Sequence, residues 1–105
     1  MPVRRSAGKA PSRDTDTVNP KKQAGSWLRE QRQKAGLSQM DLAIRLGFKY
    51  YTFISQIENG YGRVPSQSMA DWAQALGLRP ERFARTLLSY YDPALFRVLF
   101  KEGLP

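Results

Sequence analysis

The sequence contains no cysteine and no histidine. Disulfides and thiol nucleophiles are therefore excluded, and the commonest general base and the usual zinc ligands are missing. The sequence also has no apolar run long enough for a membrane span, and no apolar stretch follows its first basic residues as in a signal peptide. We therefore expect a cytoplasmic protein that is not an enzyme and has no metal site, no cofactor and no membrane association.

Positive charge dominates the composition. Lysine and arginine number 17 against 9 acidic residues, which gives a net charge of +8. A protein this basic usually has a polyanionic partner, and nucleic acid is expected ahead of a membrane surface. Residues 1–22 are basic, rich in proline and poor in large apolar groups, so they cannot offset the entropy of ordering. We predict a disordered basic arm there, which either solubilises the protein or contacts DNA.

From Gln23 onward, apolar residues recur at helical spacing. Glycine, proline and capping signals divide the pattern into five helices and a short sixth, so the predicted class is all-α. The start signals after the first helix are Ser38 with Asp41 as a capping box, Ser66, Pro80 and Asp92-Pro93. Residues 90–100 hold too many large apolar groups for an exposed tail, so they pack on their own bundle or on a second copy. The predicted division is an arm (1–22), a domain (23–90) and an apolar helix for packing or dimerisation (91–105).

Two short helices joined by a tight turn at Gly47 form the skeleton of a helix-turn-helix. Ala43 is small where the helices cross, and Gly47 is expected to have a positive φ. In the second helix of this pair, which is helix three of the chain, the residues expected to face inward are Tyr50, Phe53, Ile54 and Ile57. The opposite side then carries an uncharged polar row of Thr52, Ser55, Gln56 and Asn59. Such a row suits base edges in a major groove.

The segments LREQRQKAGLSQMDLAIRLG and ISQIENG resemble the Cro/repressor helix-turn-helix family, also called the XRE family. Its members are five-helix bundles, mostly repressors or other transcription regulators, and often bind paired half-sites as dimers. The resemblance therefore implies a repressor-like five-helix bundle. It implies a homodimer that binds double-stranded DNA sequence-specifically, represses transcription and reads the major groove with helix 49–59. One departure is that the turn between Gly47 and Ile54 is one residue longer than is usual in the family.

The resemblance also assigns roles to individual positions. Base reading falls to Tyr51, Thr52 and Gln56, and the polar row adds Ser55. Contacts with the DNA backbone fall to Gln39, Asn59, Tyr61 and Arg63, and Lys49 in the long turn is added as a phosphate contact. Arg32 and Glu58 match a buried ion pair that joins helix one to the end of helix three.

Other interpretations stay open. The chain could be an antitoxin-type module that binds a partner protein, such as a toxin or another regulator, and represses its own promoter. Non-specific architectural DNA binding is another, and Tyr50, Tyr51 and Phe53 could stack on single-stranded bases, although Tyr50 and Phe53 are expected in the core. Arg29, Lys34 and Arg45 are either phosphate contacts or a solvated surface.

Overall fold

The structure is a computed structural model that describes residues 19–100. This part of the chain contains six α-helices. They are α1 (Pro20–Lys34), α2 (Gln39–Arg45), α3 (Thr52–Glu58), α4 (Met69–Leu76), α5 (Pro80–Tyr91) and α6 (Pro93–Phe100). A short 3₁₀ helix, Ser66–Ser68, precedes α4. No strand occurs within these residues, so the predicted all-α class is confirmed. Residues 1–18 of the predicted arm and residues 101–105 lie outside the described range.

Helix α1 begins earlier than the sequence pattern predicted. The side chain of Asn19 accepts hydrogen bonds from the backbone N–H groups of Lys21 and Lys22, and Pro20 occupies the first helical position. Both features are favourable at a helix start. Residues 20–22 are therefore helical, and the predicted arm boundary at residue 22 was three residues too late.

The start of α2 is a complete capping box, as predicted. The Ser38 hydroxyl accepts a hydrogen bond from the Asp41 N–H at 2.9 Å, and the Asp41 carboxylate accepts one from the Ser38 N–H at 2.9 Å. The hydrogen bonds from Ser38 hold the pKa of Asp41 below its ordinary value. The helix ends before Gly47, whose φ of +84° is the positive value expected of it.

Two predictions about the turn between α2 and α3 were wrong. Helix α3 was predicted over residues 49–59, but it begins only at Thr52, and residues 48–51 form a non-helical turn. Tyr50 was expected in the core but is 68% exposed. The reason is that helical periodicity does not extend into the turn. Phe48 approaches Phe53 there instead, edge to face, with ring centroids 5.1 Å apart.

The helix starts later in the chain follow their local signals with one exception. Pro80 is the first residue of α5, and the Asp92 carboxylate accepts a hydrogen bond from the Leu95 N–H at the start of α6. Ser66 was predicted to cap the fourth helix. It opens the 3₁₀ helix instead, and neither that helix nor α4 has a side-chain cap.

The core lies where α1, α3, α4 and α5 meet, with α2 closing one side. Its fully buried large side chains are Leu28, Leu42, Ile54, Ile57, Val64, Trp72, Phe83 and Leu87. Burial of each of these contributes roughly 1.5–3 kcal/mol. Trp27 is half-buried and packs against Phe83, with ring centroids 5.7 Å apart. None of the helices within residues 19–100 is long and apolar enough to cross a bilayer.

Two glycines allow α1 to approach the end of α3 unusually closely. A Cβ atom on Gly25 would lie 2.3 Å from the Glu58 carbonyl oxygen and 2.6 Å from that of Ile57. On the other side of the contact, a Cβ on Gly60, which has a φ of +85°, would lie 2.9 Å from the Lys22 Cα. Gly25 interrupts a helix at a typical cost of about 1 kcal/mol relative to alanine. The close contact explains why glycine is nevertheless found there.

Replacing Gly25 with alanine should destabilise the fold. The new methyl group would overlap backbone oxygens that cannot move without displacing α3, so we expect the free energy of unfolding to fall by about 1–3 kcal/mol. Thermal unfolding followed by circular dichroism measures the change. The matched control is Ser26→Ala, the next residue of α1, which is exposed and should stay within about 0.5 kcal/mol of the wild type. Equal effects of the two changes would contradict the close-contact explanation.

Candidate nucleic-acid interface

Helix α3 has a buried side and an exposed polar side. Ile54, Ile57 and Glu58 are buried. Thr52 at the first position and Gln56 one turn later are exposed, and Ser55 between them is half-buried. Tyr51, which immediately precedes the helix, is 53% exposed. The side of α3 that faces solvent is therefore polar and uncharged.

The row of Thr52, Ser55, Gln56 and Asn59 is partly engaged within the protein. The Asn59 amide nitrogen donates to the Ser55 hydroxyl at 3.4 Å. The Asn59 amide oxygen accepts from the Arg29 guanidinium at 3.0 Å. Thr52 and Gln56 make no side-chain hydrogen bond to any residue within 19–100. Their donors and acceptors are therefore available to a ligand.

A buried carboxylate lies directly behind this row. The Glu58 Oε2 atom accepts from Arg32 Nε at 2.6 Å, and Oε1 accepts from Arg32 Nη2 at 3.0 Å. The same Oε1 accepts from Gln39 Nε2 at 3.0 Å and from Arg29 Nε at 3.4 Å. The remaining Arg32 nitrogen, Nη1, donates to the Leu37 carbonyl at 2.8 Å. These bonds join α1, α2 and α3 through one side chain.

The protein environment stabilises the charged form of Glu58. Burial alone would raise the pKa of this carboxyl, but the hydrogen bonds from Arg32 and Gln39 and the charge of Arg32 outweigh it. The pKa is therefore lowered from its ordinary value of 4.5. The carboxylate stays ionised at neutral pH, and the guanidinium of Arg32 keeps its counter-charge.

The residues predicted to contact the DNA backbone do not all lie in one place. Gln39 is half-buried at the start of α2, with its amide nitrogen turned towards Glu58. Lys49 and Tyr61 are exposed, and Tyr61 is 82% exposed. The Arg63 guanidinium lies over the Tyr91 ring, 4.4 Å from its centroid. Within residues 19–100, Arg63 makes no hydrogen bond or ion pair with the polar row.

From the sequence, Arg29, Arg45 and Lys34 could either contact phosphates or belong to a solvated surface. Arg29 joins the end of the polar row through Asn59 and Glu58. Arg45 donates to the Ala75 carbonyl at 3.1 Å and so connects α2 to the last turn of α4. Lys34 pairs with Glu30 at 3.7 Å on the solvent side of α1. Among these three, only Arg29 lies beside the row.

A shallow apolar depression adjoins the row at the start of α3. Its lining residues are Phe48, Lys49, Tyr50, Thr52, Phe53 and Gln56. Phe48 was not predicted as part of this surface, because its distance of five residues from Phe53 does not match a helical repeat. The exposed side of α3 thus combines hydrogen-bonding groups with an aromatic surface.

Replacing Glu58 with glutamine should destabilise the domain, because it leaves the buried Arg32 without its counter-charge. We expect the free energy of unfolding at pH 7 to fall by about 3–5 kcal/mol, measured by urea denaturation. Since the folded pKa lies below 4.5, the contribution of this group is complete above that pH. This contribution to stability is lost as the pH falls through the pKa of Glu58 in the folded protein.

The matched control is Glu30→Gln, which removes the same charge from the exposed pair with Lys34. That pair should contribute less than about 1 kcal/mol. The control protein should keep the acid-induced loss of stability that Glu58→Gln lacks. Similar stabilities and similar pH profiles for the two variants would contradict the role given to Glu58.

Comparison with protein families agrees with this geometry. A model described as a helix-turn-helix domain matches residues 23–87, which is more than half of the chain. No curated protein matches the sequence. The matched range runs from α1 into α5 and includes α2, the turn at Gly47 and the exposed row of α3. The chain therefore belongs to the helix-turn-helix domain family, which is consistent with an XRE-type DNA-binding regulator.

Proposed function

We propose that this protein is a sequence-specific transcription regulator that acts as a repressor, with α3 in the major groove of its DNA site. The observation that carries the proposal is the pair of Thr52 and Gln56, which are exposed, uncharged and without a side-chain hydrogen bond to any residue within 19–100. A glutamine amide can bind adenine N6 and N7 through two hydrogen bonds, and threonine offers a hydroxyl and a methyl group. Tyr51 and Ser55 flank these two side chains and complete the proposed base-reading set.

Groups suited to phosphate binding lie at both ends of the row. Lys49 borders the depression at the start of α3, and Asn59 with Arg29 lies at its end. Gln39 is held beside them by Glu58, and its amide nitrogen keeps a second hydrogen for donation. We assign Tyr61 and Arg63, in the loop that follows α3, to the outer edge of the same contact. Together with the net charge of +8, these groups favour binding that weakens steeply with salt.

Replacing Gln56 with alanine should reduce selectivity more than general DNA binding. We expect a loss of about 1–3 kcal/mol on the preferred site, and almost none on random duplex, because only the base contact is removed. The preferred site is first selected from random duplexes, and the affinities are then measured by fluorescence anisotropy at fixed salt. The matched control is Gln74→Ala on α4, which removes an exposed glutamine outside the row. Equal losses on both DNAs would contradict base reading by Gln56.

Repression requires only that the bound protein occupies a promoter. A reporter whose promoter contains the selected site should therefore be silenced by the wild-type chain and restored by Gln56→Ala. Activation of that reporter would contradict the assignment of repression, while leaving DNA binding intact.

We further propose that the protein binds DNA as a homodimer through α6. This helix packs against α5, where the Arg85 guanidinium lies over the Phe100 ring, and it exposes Leu95, Val98 and Leu99. Val98 is 70% exposed, and Arg97 is the one charged residue of the helix. Apolar residues at this spacing form a stripe that a second copy can bury. A dimer predicts two half-sites about 10 base pairs apart between centres.

Replacing Val98 with aspartate should convert the dimer to a 12.0 kDa monomer, because it places a charge in the centre of the apolar stripe. Sedimentation velocity measures the change. The matched control is Arg97→Gln, which shifts the net charge by the same amount on the other side of α6. A wild-type chain that is monomeric at all concentrations would contradict the homodimer. A stable complex with a different protein through Val98 would favour the antitoxin alternative.

A further inference from the structure

The aromatic depression beside the polar row is built from the long turn between α2 and α3. Phe48 and Phe53 line it, and so does Tyr50, which has 68% of its surface exposed. Thr52 and Gln56 border it on the helix side, and Lys49 borders it on the turn side. It therefore lies within the surface that the proposed function places against DNA.

A backbone hydrogen bond and ring packing hold Phe48 and Phe53 in the depression. The Phe48 N–H donates to the Ala43 carbonyl at 2.8 Å, which fixes the backbone of the turn to the end of α2. The Phe48 ring meets the Phe53 ring at an interplanar angle of 64°, with centroids 5.1 Å apart. Phe53 in turn packs against the hydrophobic core. The two rings therefore form a corner that is already in place before any ligand arrives.

We propose, on the basis of the function proposed above, that this corner, together with the Tyr50 side chain that also lines the depression, receives the C5-methyl group of a thymine in the major groove. Thymine is the only one of the four DNA bases that displays an apolar group there. The depression is lined mainly by apolar atoms and lies next to Thr52 and Gln56, so a methyl group can enter it while those side chains bind neighbouring base edges. Phe48, Tyr50 and Phe53 are then specificity-determining residues.

Two other occupants fit these observations less well. A stacked single-stranded base needs a flat aromatic platform, whereas Phe48 and Phe53 meet at a steep angle. A second copy docked symmetrically at this surface would bring two Lys49 side chains together, and like charges repel. A DNA groove instead places phosphates near Lys49 and a methyl group near the rings.

The test replaces each thymine of the selected site, one at a time, with deoxyuridine, which removes only the methyl group. We expect one position in each half-site to bind about fourfold more weakly, as for the loss of one buried methylene-sized group. Placing cytosine there should weaken binding further, and 5-methylcytosine should recover part of the loss. Deoxyuridine outside the selected site serves as the DNA control.

Two variants of the protein assign the effect to the depression. Tyr50→Ala changes an exposed side chain and should leave the fold intact, but the ratio of thymine to deoxyuridine affinities should fall towards one. The matched control, Ile44→Ala, removes an apolar side chain that is 62% exposed, lies outside the depression and has no proposed DNA contact, so it should keep the fourfold ratio.

The outcomes separate this inference from the function on which it rests. Sequence-selective binding with every deoxyuridine substitution within twofold of thymine would overturn the methyl contact alone. An unchanged thymine preference in Tyr50→Ala would overturn it as well. Absence of any sequence preference in the duplex selection would overturn both the methyl contact and the proposed function.

Discussion

One buried carboxylate determines where the proposed recognition helix lies. Glu58 is the last residue of α3, and it accepts hydrogen bonds from Arg29 and Arg32 of α1 and from Gln39 of α2. Removing one partner from such a buried pair is costly, because the remaining charge loses its compensation. The absence of a side chain at Gly25 complements this network by letting α1 approach the α3 backbone. Charge pairing and close packing thus stabilise the same contact, which is the one between α1 and the end of α3.

This fixed frame has a direct effect on the exposed side of α3. Because the helix is held from behind, Thr52 and Gln56 need no internal partner to be positioned, and within the described residues they have none. A ligand therefore meets groups whose backbone is already in place, which reduces the ordering cost of association. Asn59 differs, since Arg29 and Ser55 already engage its amide. The row is thus adaptable at its start and held at its end.

Local signals made most of the fold predictable, and non-local packing explains the errors. The capping box at Ser38 and the start of α5 at Pro80 depend on neighbours a few residues away, so the sequence pattern identifies them. The late start of α3 and the exposure of Tyr50 depend instead on the packing of Phe48 against Phe53. The contact between Arg29 and Asn59 joins residues thirty positions apart. A helical repeat contains no information about such a contact. The outward direction of Thr52 and Gln56 could be predicted from the sequence, because it follows from the helical period of α3 alone.

The early start of α1 sets the point from which the preceding chain departs. Asn19 caps a helix whose first turn lies against Gly60, just beyond the end of α3. Any segment joined to Asn19 is therefore tethered at the margin of the proposed DNA-binding surface rather than on the far side of the bundle. Tethering replaces a bimolecular encounter with an intramolecular one, and a short tether corresponds to an effective concentration in the millimolar range. Even weakly attractive charges attached at this point would act on the same nucleic acid that α3 is proposed to contact.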